Sequence, residues 1–235
     1  MKDKIIHYAL LPKVLSDKNG DRPILWFKAV KDSEWKPLSS SGFYSKVTRL
    51  AHALKSRGMG DSSRAAVYSQ NCPEALIADF ANFQLKATTV PVYATSSREQ
   101  LKFIVDDAQV KVVYVGDQTQ ADNAIAVSES SPSVELIVAL DRGINIEGVD
   151  KAIYYDDLEA EGAADSSQIY PDDSYSADDV ATIMYTSGTT GNPKGVVLTH
   201  ANYLEAMKRN QDRLVSISRD DRSLMFLPIT HVFER

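Results

Sequence analysis

From Ala65 to Leu140, short apolar runs alternate with helix-length patterned stretches, and this alternation limits the fold more than any other feature of the chain. Ala65 to Tyr68, Val90 to Tyr93, Val110 to Val115 and Val134 to Leu140 read as buried strands. Pro73 to Leu85 is helical and apolar nearly all round, so it is expected to be buried on more than one side. Leu101, Ile104, Val105 and Ala108 mark the inner face of a second helix, and a polar helix is expected near Ala121 to Ser128. Strand and helix in repeated alternation give βαβ units on a largely parallel sheet, with right-handed crossovers. The expected fold class is α/β, in stacked αβα layers.

The flanking segments read less evenly. Ile24 to Val30 suggests a strand, with a turn at Asp32-Ser33-Glu34 leading back through Trp35. Ser39, Ser40 and Ser41 offer caps for a helix whose apolar face is Phe43, Val47, Leu50, Ala51 and Leu54, and Gly58 should stop it. Ser96-Ser97-Arg98-Glu99 suggests a capping box with Ser96 as the cap. Gly162 to Asp179, poor in apolar residues, reads as a surface connection. A helix beginning at Thr199 or His200 is expected through Leu204, Met207 and Leu214, then a strand from Leu224 to Leu227 ended by Pro228.

Composition excludes some classes. The 235 residues are 43% hydrophobic and 25% charged, the proportions of a soluble globular domain. A net charge of −6 argues against a general nucleic-acid binder. A nucleotide site needs only local positive charge, so ATP is not excluded. With one cysteine, Cys72, no disulfide forms within the chain, which suits a reducing, cytoplasmic setting. Cys72 precedes Pro73 at a helix start and lacks an evident base, so it reads as a buried structural thiol. No apolar run approaches the roughly 20 residues of a membrane span. Ile5, Ile6, Leu10 and Leu11 could offer a peripheral membrane contact, but packing on the domain is the favoured reading.

The stretch Tyr185-Thr186-Ser187-Gly188-Thr189-Thr190-Gly191-Asn192-Pro193-Lys194-Gly195-Val196 carries the chemistry. Apolar runs on both sides make it a loop between strands. Its glycines let backbone approach a ligand closely, and successive N–H groups in such a turn can form an anion nest. Hydroxyls of Thr186, Ser187, Thr189 and Thr190 can donate to phosphate oxygens, and Lys194 adds a mobile positive charge. Pro193 holds Asn192 extended. The stretch is not the G-x-x-x-x-G-K-[ST] loop, because Gly195 follows Lys194. On composition alone, a flexible surface turn is the competing reading.

The string YTSGTTGNPKGVVLTH closely resembles the phosphate-loop signature of the adenylate-forming superfamily, which includes acyl-CoA synthetases, peptide-synthetase adenylation domains and luciferase-like enzymes. The final LPITHVFER resembles the next family motif, and its HVFER ending resembles the long-chain acyl-CoA synthetases in particular. Val90 to Asp117 and the turn Gly58-Met59-Gly60-Asp61 are similar to the same group, though the strong likeness runs from Asp179 to Arg235.

That resemblance implies an enzyme of two parts, a large N-terminal region and a small C-terminal lid, acting on a fatty acid with ATP, magnesium and coenzyme A. The carboxylate attacks the α-phosphate to give acyl-adenylate and pyrophosphate, and the thiol of coenzyme A then releases AMP. It implies a pyrophosphate clamp at Thr186, Ser187, Gly188, Thr189, Thr190, Gly191 and Lys194, with Thr186 also near magnesium. His231 matches the residue beside the acyl group and phosphate, and Glu234 could orient its neighbours. Arg235 stands where some relatives carry a gate tryptophan. The adenine motif, acidic magnesium ligand, hinge and lid lysine of the family would lie downstream. Residues 1–235 are therefore expected to be the N-terminal portion of an AMP-binding domain, without the lid and inactive alone. Two alternatives stand: adenylation of an aryl or amino acid, and a non-catalytic nucleotide-binding fragment.

Overall fold

Alternate residues of short strands point to opposite faces, so a strand buried on both sides must be apolar at every position. Arg64–Tyr68, Thr88–Val92, Val112–Val115 and Leu136–Ala139 meet that condition except at Arg64, Thr88 and Thr89, and form the centre of the sheet. The computed structural model describes residues 5–28, 34–165, 167–186, 193–213, 218 and 220–229 (for 211–213 the backbone alone).

Helix α1 (Leu11–Asn19) precedes an antiparallel ribbon of β1 (Pro23–Phe27) and β2 (Lys36–Ser39). Then follow α2 (Ser40–Ser56), β3 (Arg64–Tyr68), α3 (Pro73–Gln84), β4 (Thr88–Val92), α4 (Arg98–Ala108), β5 (Val112–Val115) and α5 (Gln118–Ser130). β6 (Leu136–Ala139), β7 (Ala152–Tyr154), α6 (Tyr155–Glu161), β8 (Val180–Thr186), β9 (Lys194–Thr199) and α7 (His200–Arg213) complete the order. The seven-stranded sheet runs β7-β6-β5-β3-β4-β8-β9, parallel throughout except for the antiparallel β8–β9 pair.

The alternation builds three layers. Ala65, Val67, Val112, Tyr114, Leu136 and Val138 face one core with Leu50 and Leu54 of α2, Ile77 and Ala78 of α3, and Leu158 of α6. Ala66, Tyr68, Val113, Val115, Ile137 and Ala139 face the other, against Leu101 and Val105 of α4 and Ala121, Ala124 and Val127 of α5. Each fully buried Leu-sized side chain contributes about 1.5–3 kcal/mol, so the two cores outweigh any single surface contact. The expected αβα stack is present, and α3 is buried at Ala75, Ile77, Ala78, Ala81 and Phe83.

Local signals set most boundaries. Ser39 caps α2 by accepting from Gly42 N, and Gly58, at φ +83°, closes it by donating to Lys55 O. Pro73 opens α3 behind an extended Cys72.

Four readings change. The capping box of α4 is Ser97 with Gln100, not Ser96 with Glu99: Ser97 has the extended backbone, Gln100 N donates to its hydroxyl, and Gln100 Oε1 accepts from Ser97 N. Glu99 binds the Ser97 hydroxyl instead. Leu224 to Leu227 is not a strand: among the described residues it has no ladder partner, and Leu224 and Phe226 are 70% and 75% exposed. An apolar run without a neighbouring edge has nothing to pair with. Gly162 to Asp179 is not wholly surface, since Ile169 and Tyr175 are buried and Tyr175 Oη donates to Gln84 O. Finally, α1, β7 and α6 have no counterpart in the sequence reading. Pro12, which breaks the apolar run there, sits in the first turn of α1, where proline is tolerated. Val30, Asp32, Ser33 and Leu214, read as parts of elements, lie outside the described residues.

Ala9 is buried, and Tyr8 and Leu10 pack with Phe83, Tyr175, Ala181 and Tyr203, so this part of the N-terminal segment rests on the domain. No helix among the described residues is long and apolar enough to cross a membrane.

Candidate functional site

β8 runs parallel to β4, with Thr89 opposite Thr182, and β4 runs parallel to β3. The C-terminal ends of β3, β4, β5 and β8 therefore share one edge of the sheet, the edge where open α/β sheets bind ligands. β9 returns antiparallel, pairing Tyr185 with Gly195 and Thr186 with Lys194. The two ends of the glycine- and hydroxyl-rich loop are thus a cross-strand pair at that edge. Thr186 and Lys194 are both exposed. Among the described residues Lys194 has no ion-pair partner. Ser187, Gly188, Thr189, Thr190 and Gly191, and with them Asn192, lie outside the described residues.

Side chains pin the hairpin just before the loop. Tyr185 Oη donates to Asp107 of α4, and its ring meets Phe103 edge-on at 6.3 Å between centroids. Burial, then the bond to Asp107, raises the phenol's pKa well above its ordinary value, so it stays a neutral donor. Gly195 serves this anchor: a Cβ there would lie 2.9 Å from Ile183 Cγ2 and 3.3 Å from the Tyr185 ring. The side chains of Ile183 and Tyr185 thus leave no room for a side chain at this position.

The strand order creates another candidate crevice. α3 leaves β3 on one face while α4 and α5 lie on the other, so the chain switches direction on either side of β3. Here the crevice is filled by the wholly buried Gln120. Its Oε1 accepts from Gly116 N at 2.8 Å and Asp117 N at 3.1 Å, and its Nε2 donates to Ala94 O at 3.1 Å and Gln70 Oε1 at 3.3 Å. Gly116 has no room for a side chain, because a Cβ would meet Ser69 Oγ at 2.3 Å. All of Gln120's hydrogen-bonding capacity is engaged within the protein.

The second motif reaches the same edge. Ile229 is 3% exposed and packs into the α2–α3 core, while Asn71, in the turn after β3, bonds to the chain on both sides of Pro228. His231, Glu234 and Arg235 lie outside the described residues. Cys72 was read as a buried structural thiol; it is half-buried against the α2–α3 core, and its surroundings push its thiol up to about 11, far from a nucleophilic thiolate at neutral pH.

Nothing in the sequence pattern pointed to a role for His7. It is wholly buried and stacks on His200 with ring centroids 3.4 Å apart. His7 Nδ1 accepts from Ala9 N, and His200 Nδ1 accepts from Tyr8 N. Both rings must therefore be neutral with the remaining proton on Nε2. Burial lowers His7 to about 4, opposed by Asp179, and lowers His200 to about 2 with His7 adding to the effect. The 3.7 Å approach of Asp179 to His7 is consequently no ion pair at neutral pH; Asp179 has Lys86 at 3.5 Å instead. The pair fastens the N-terminal segment to the start of α7, directly behind β9. Only an apolar, aromatic neighbourhood for both histidines could have signalled it, and their separation in sequence hid that.

Among the described residues no three His, Cys, Asp or Glu side chains converge as a metal cluster. Thr186 offers one hard oxygen at the loop's mouth. That fits magnesium as a partial ligand, because magnesium keeps its waters and takes phosphate oxygens for the rest.

The family model described as AMP-binding enzyme matches residues 15–235. Long chain acyl-CoA synthetase 6, peroxisomal, of Arabidopsis thaliana is 35% identical over 213 residues, covering 88% of this chain and 29% of that protein. Long-chain-fatty-acid–CoA ligase FadD15 of Mycobacterium bovis is 27% identical over 231 residues, covering 97% of this chain and 38% of the other. The chain thus spans about a third of the length of these relatives. The solved structure of acetoacetyl-CoA synthetase from Streptomyces lividans superposes with a TM-score of 0.83 at 18% identity, over 97% of this chain and 35% of that one. At that identity the likeness concerns the fold alone.

Proposed function

Because this chain belongs to the AMP-binding enzyme family, we propose that the full-length protein activates a long-chain fatty acid with ATP, forming acyl-adenylate and then acyl-CoA. The observation that carries the proposal is the Thr186–Lys194 pair, which presents both ends of the phosphate-type loop at the C-terminal edge of a parallel sheet. The names of the relatives support the long-chain acid over an aryl or amino acid.

In the first step a carboxylate oxygen bonds to the α-phosphorus and the bond to pyrophosphate breaks. Negative charge then gathers on the leaving pyrophosphate. Lys194, the hydroxyls of Thr186, Ser187, Thr189 and Thr190, and backbone N–H groups at Gly188 and Gly191 would hold that charge in place. Magnesium, when bound through phosphate oxygens and Thr186, would offset part of the same charge. His231 would stand beside the acyl group and the α-phosphate. In the second step the sulfur of coenzyme A bonds to the acyl carbon, AMP leaves with the bonding electron pair, and the thiol proton passes to solvent.

The test is pyrophosphate release and acyl-CoA formation by the full-length protein with ATP, magnesium and a panel of acids. Saturable turnover of long-chain fatty acids is expected. Preference for an aryl or amino acid would replace the substrate class. ATP binding with no pyrophosphate release from any acid would replace the enzyme by a binding module.

A further inference from the structure

We propose that residues 5–10 form an acid-released strap, whose two histidine fastenings, His7 and His200, let go together while the sheet and its two cores hold. Tyr8, Ala9 and Leu10 lie across an aromatic face made by Phe83, Tyr175, Ala181 and Tyr203. The strap is fastened twice by the same kind of atom. His7 Nδ1 accepts from Ala9 N at 3.0 Å, and His200 Nδ1 accepts from Tyr8 N at 3.3 Å. Each ring keeps its one proton on Nε2, so a second proton must go to Nδ1. There it would turn the acceptor into a donor facing a backbone N–H. Protonation of a ring and its bond to the strap therefore exclude one another. The rings also stack with centroids 3.4 Å apart, where two imidazolium charges would repel. Once the strap opens, both rings regain water and their ordinary affinity for protons.

The groups around the pair leave that direction unchanged. Asp179, just before β8, lies 3.7 Å from His7 Nε2 and favours a charged ring. Lys86, just after α3, lies 3.5 Å from Asp179 and 3.6 Å from Asp61, and opposes that charge. Tyr175 packs on His7 at 4.8 Å, Tyr8 meets His200 edge-on at 6.0 Å, and Tyr203 of α7 stands 5.6 Å from Tyr8. Phenols stay neutral below pH 7. Burial of both rings outweighs Asp179 and keeps them neutral while the strap is closed. Release is local, because Tyr8, Ala9 and Leu10 belong to a third cluster rather than to the two cores that flank the sheet. Opening uncovers Phe83, Ala181 and Tyr203, all buried when the strap is closed.

The experiment is hydrogen exchange of the full-length protein at about pH 6 and about pH 5, corrected for the change in intrinsic exchange rate. Each proton taken up on opening lowers protection about tenfold per pH unit. Protection of the Tyr8, Ala9 and Leu10 amides should therefore fall between about tenfold and about a hundredfold per unit, the larger figure if both rings protonate. Amides of α3 and β3 should keep theirs. His7→Asn retains a side-chain acceptor near Ala9 N but cannot take up the proton, and His200→Asn does the same for Tyr8 N. Either variant should reduce the pH dependence at residues 8–10 by about tenfold per unit. Protection at 8–10 that does not change with pH in the unaltered protein overturns the strap. An equal loss in α3 and β3 overturns it too, because acid would then be unfolding the whole domain. A pH dependence that survives in both variants overturns the two histidines as the fastenings. The measurement on the unaltered protein decides between local release and none even if a variant fails to fold.

Discussion

The centre of the sheet and the edge that bears the loop are held in different ways. β3 pairs along its whole length with β4 and from Ala65 to Tyr68 with β5, and Ala65, Ala66, Val90, Tyr114 and Val115 have no exposure. β8 meets β4 in register at Thr89–Thr182, and its partner β9 leaves Val196 and Val197 44% and 54% exposed. The centre is fixed by two apolar cores at once. The edge is fixed by a few polar anchors: Tyr185 on Asp107, the His7–His200 stack, and Asn71 on the 227–229 segment. Stability concentrated in one region lets the ligand-facing region remain adjustable, because opening it locally does not cost the global fold.

The largest expected effect would break the centre. Leu54→Ala removes a wholly buried side chain of α2 and should cost about 2–5 kcal/mol in unfolding free energy, measured by denaturant titration. A loss under about 1 kcal/mol would mean that the αβα core does not carry the fold.

Lys194→Ala should do the reverse, leaving the melting temperature in place. One charge-assisted contact is worth about 1.5–3 kcal/mol, so kcat/KM for ATP should drop about ten- to a hundredfold. Lys194→Arg should rescue only partly, since a guanidinium is wider and flatter than an ammonium. Unchanged kinetics in both variants would leave the loop a mere connector.

Acid should loosen the edge before the centre. Below the ordinary 6.5, unfolded chains protonate both histidines, while the folded chain resists until about pH 4 at His7 and lower at His200. Their contribution is therefore complete above pH 6.5 and declines as the pH falls toward 4, a loss on the order of 3 kcal/mol from His7 alone. Asp179, which faces His7, tempers it, and Lys86 adds to it. Melting curves from about pH 7 to about pH 4.5 should show this slope, and His7→Asn should flatten it. Equal slopes in both proteins would remove the pair from the acid response.

The smallest effect tests a single helix end. Ser97→Ala should cost about 1 kcal/mol, and Ser96→Ala close to nothing. The opposite order would restore Ser96 as the cap of α4.

Much of this was legible in one dimension. The helix Phe43 to Leu54, the four central strands and the helix at Pro73 announce themselves through periodicity and punctuation, and the loop through its glycines, hydroxyls and lysine. The cap at Ser97 was misread by one residue, because two adjacent serines present the same chemistry and only backbone conformation separates them. Gly162 was read only as the start of a surface connection, yet a Cβ there would clash with the main-chain oxygen of Arg49, so it is the point where the end of α6 touches α2.

The amino-acid sequence by itself determined the central strands and helices, their α/β class and the glycine- and hydroxyl-rich chemistry of the β8–β9 loop, because these depend on neighbours a few residues apart. Tertiary structure alone decided the strand order, the filling of the switch-point crevice by Gln120, the burial of His7 on His200, and the grip of Asn71 on residues 227–229. Each of these joins groups distant in the chain, or depends on the space left once both cores have packed. Local pattern carries no information about either.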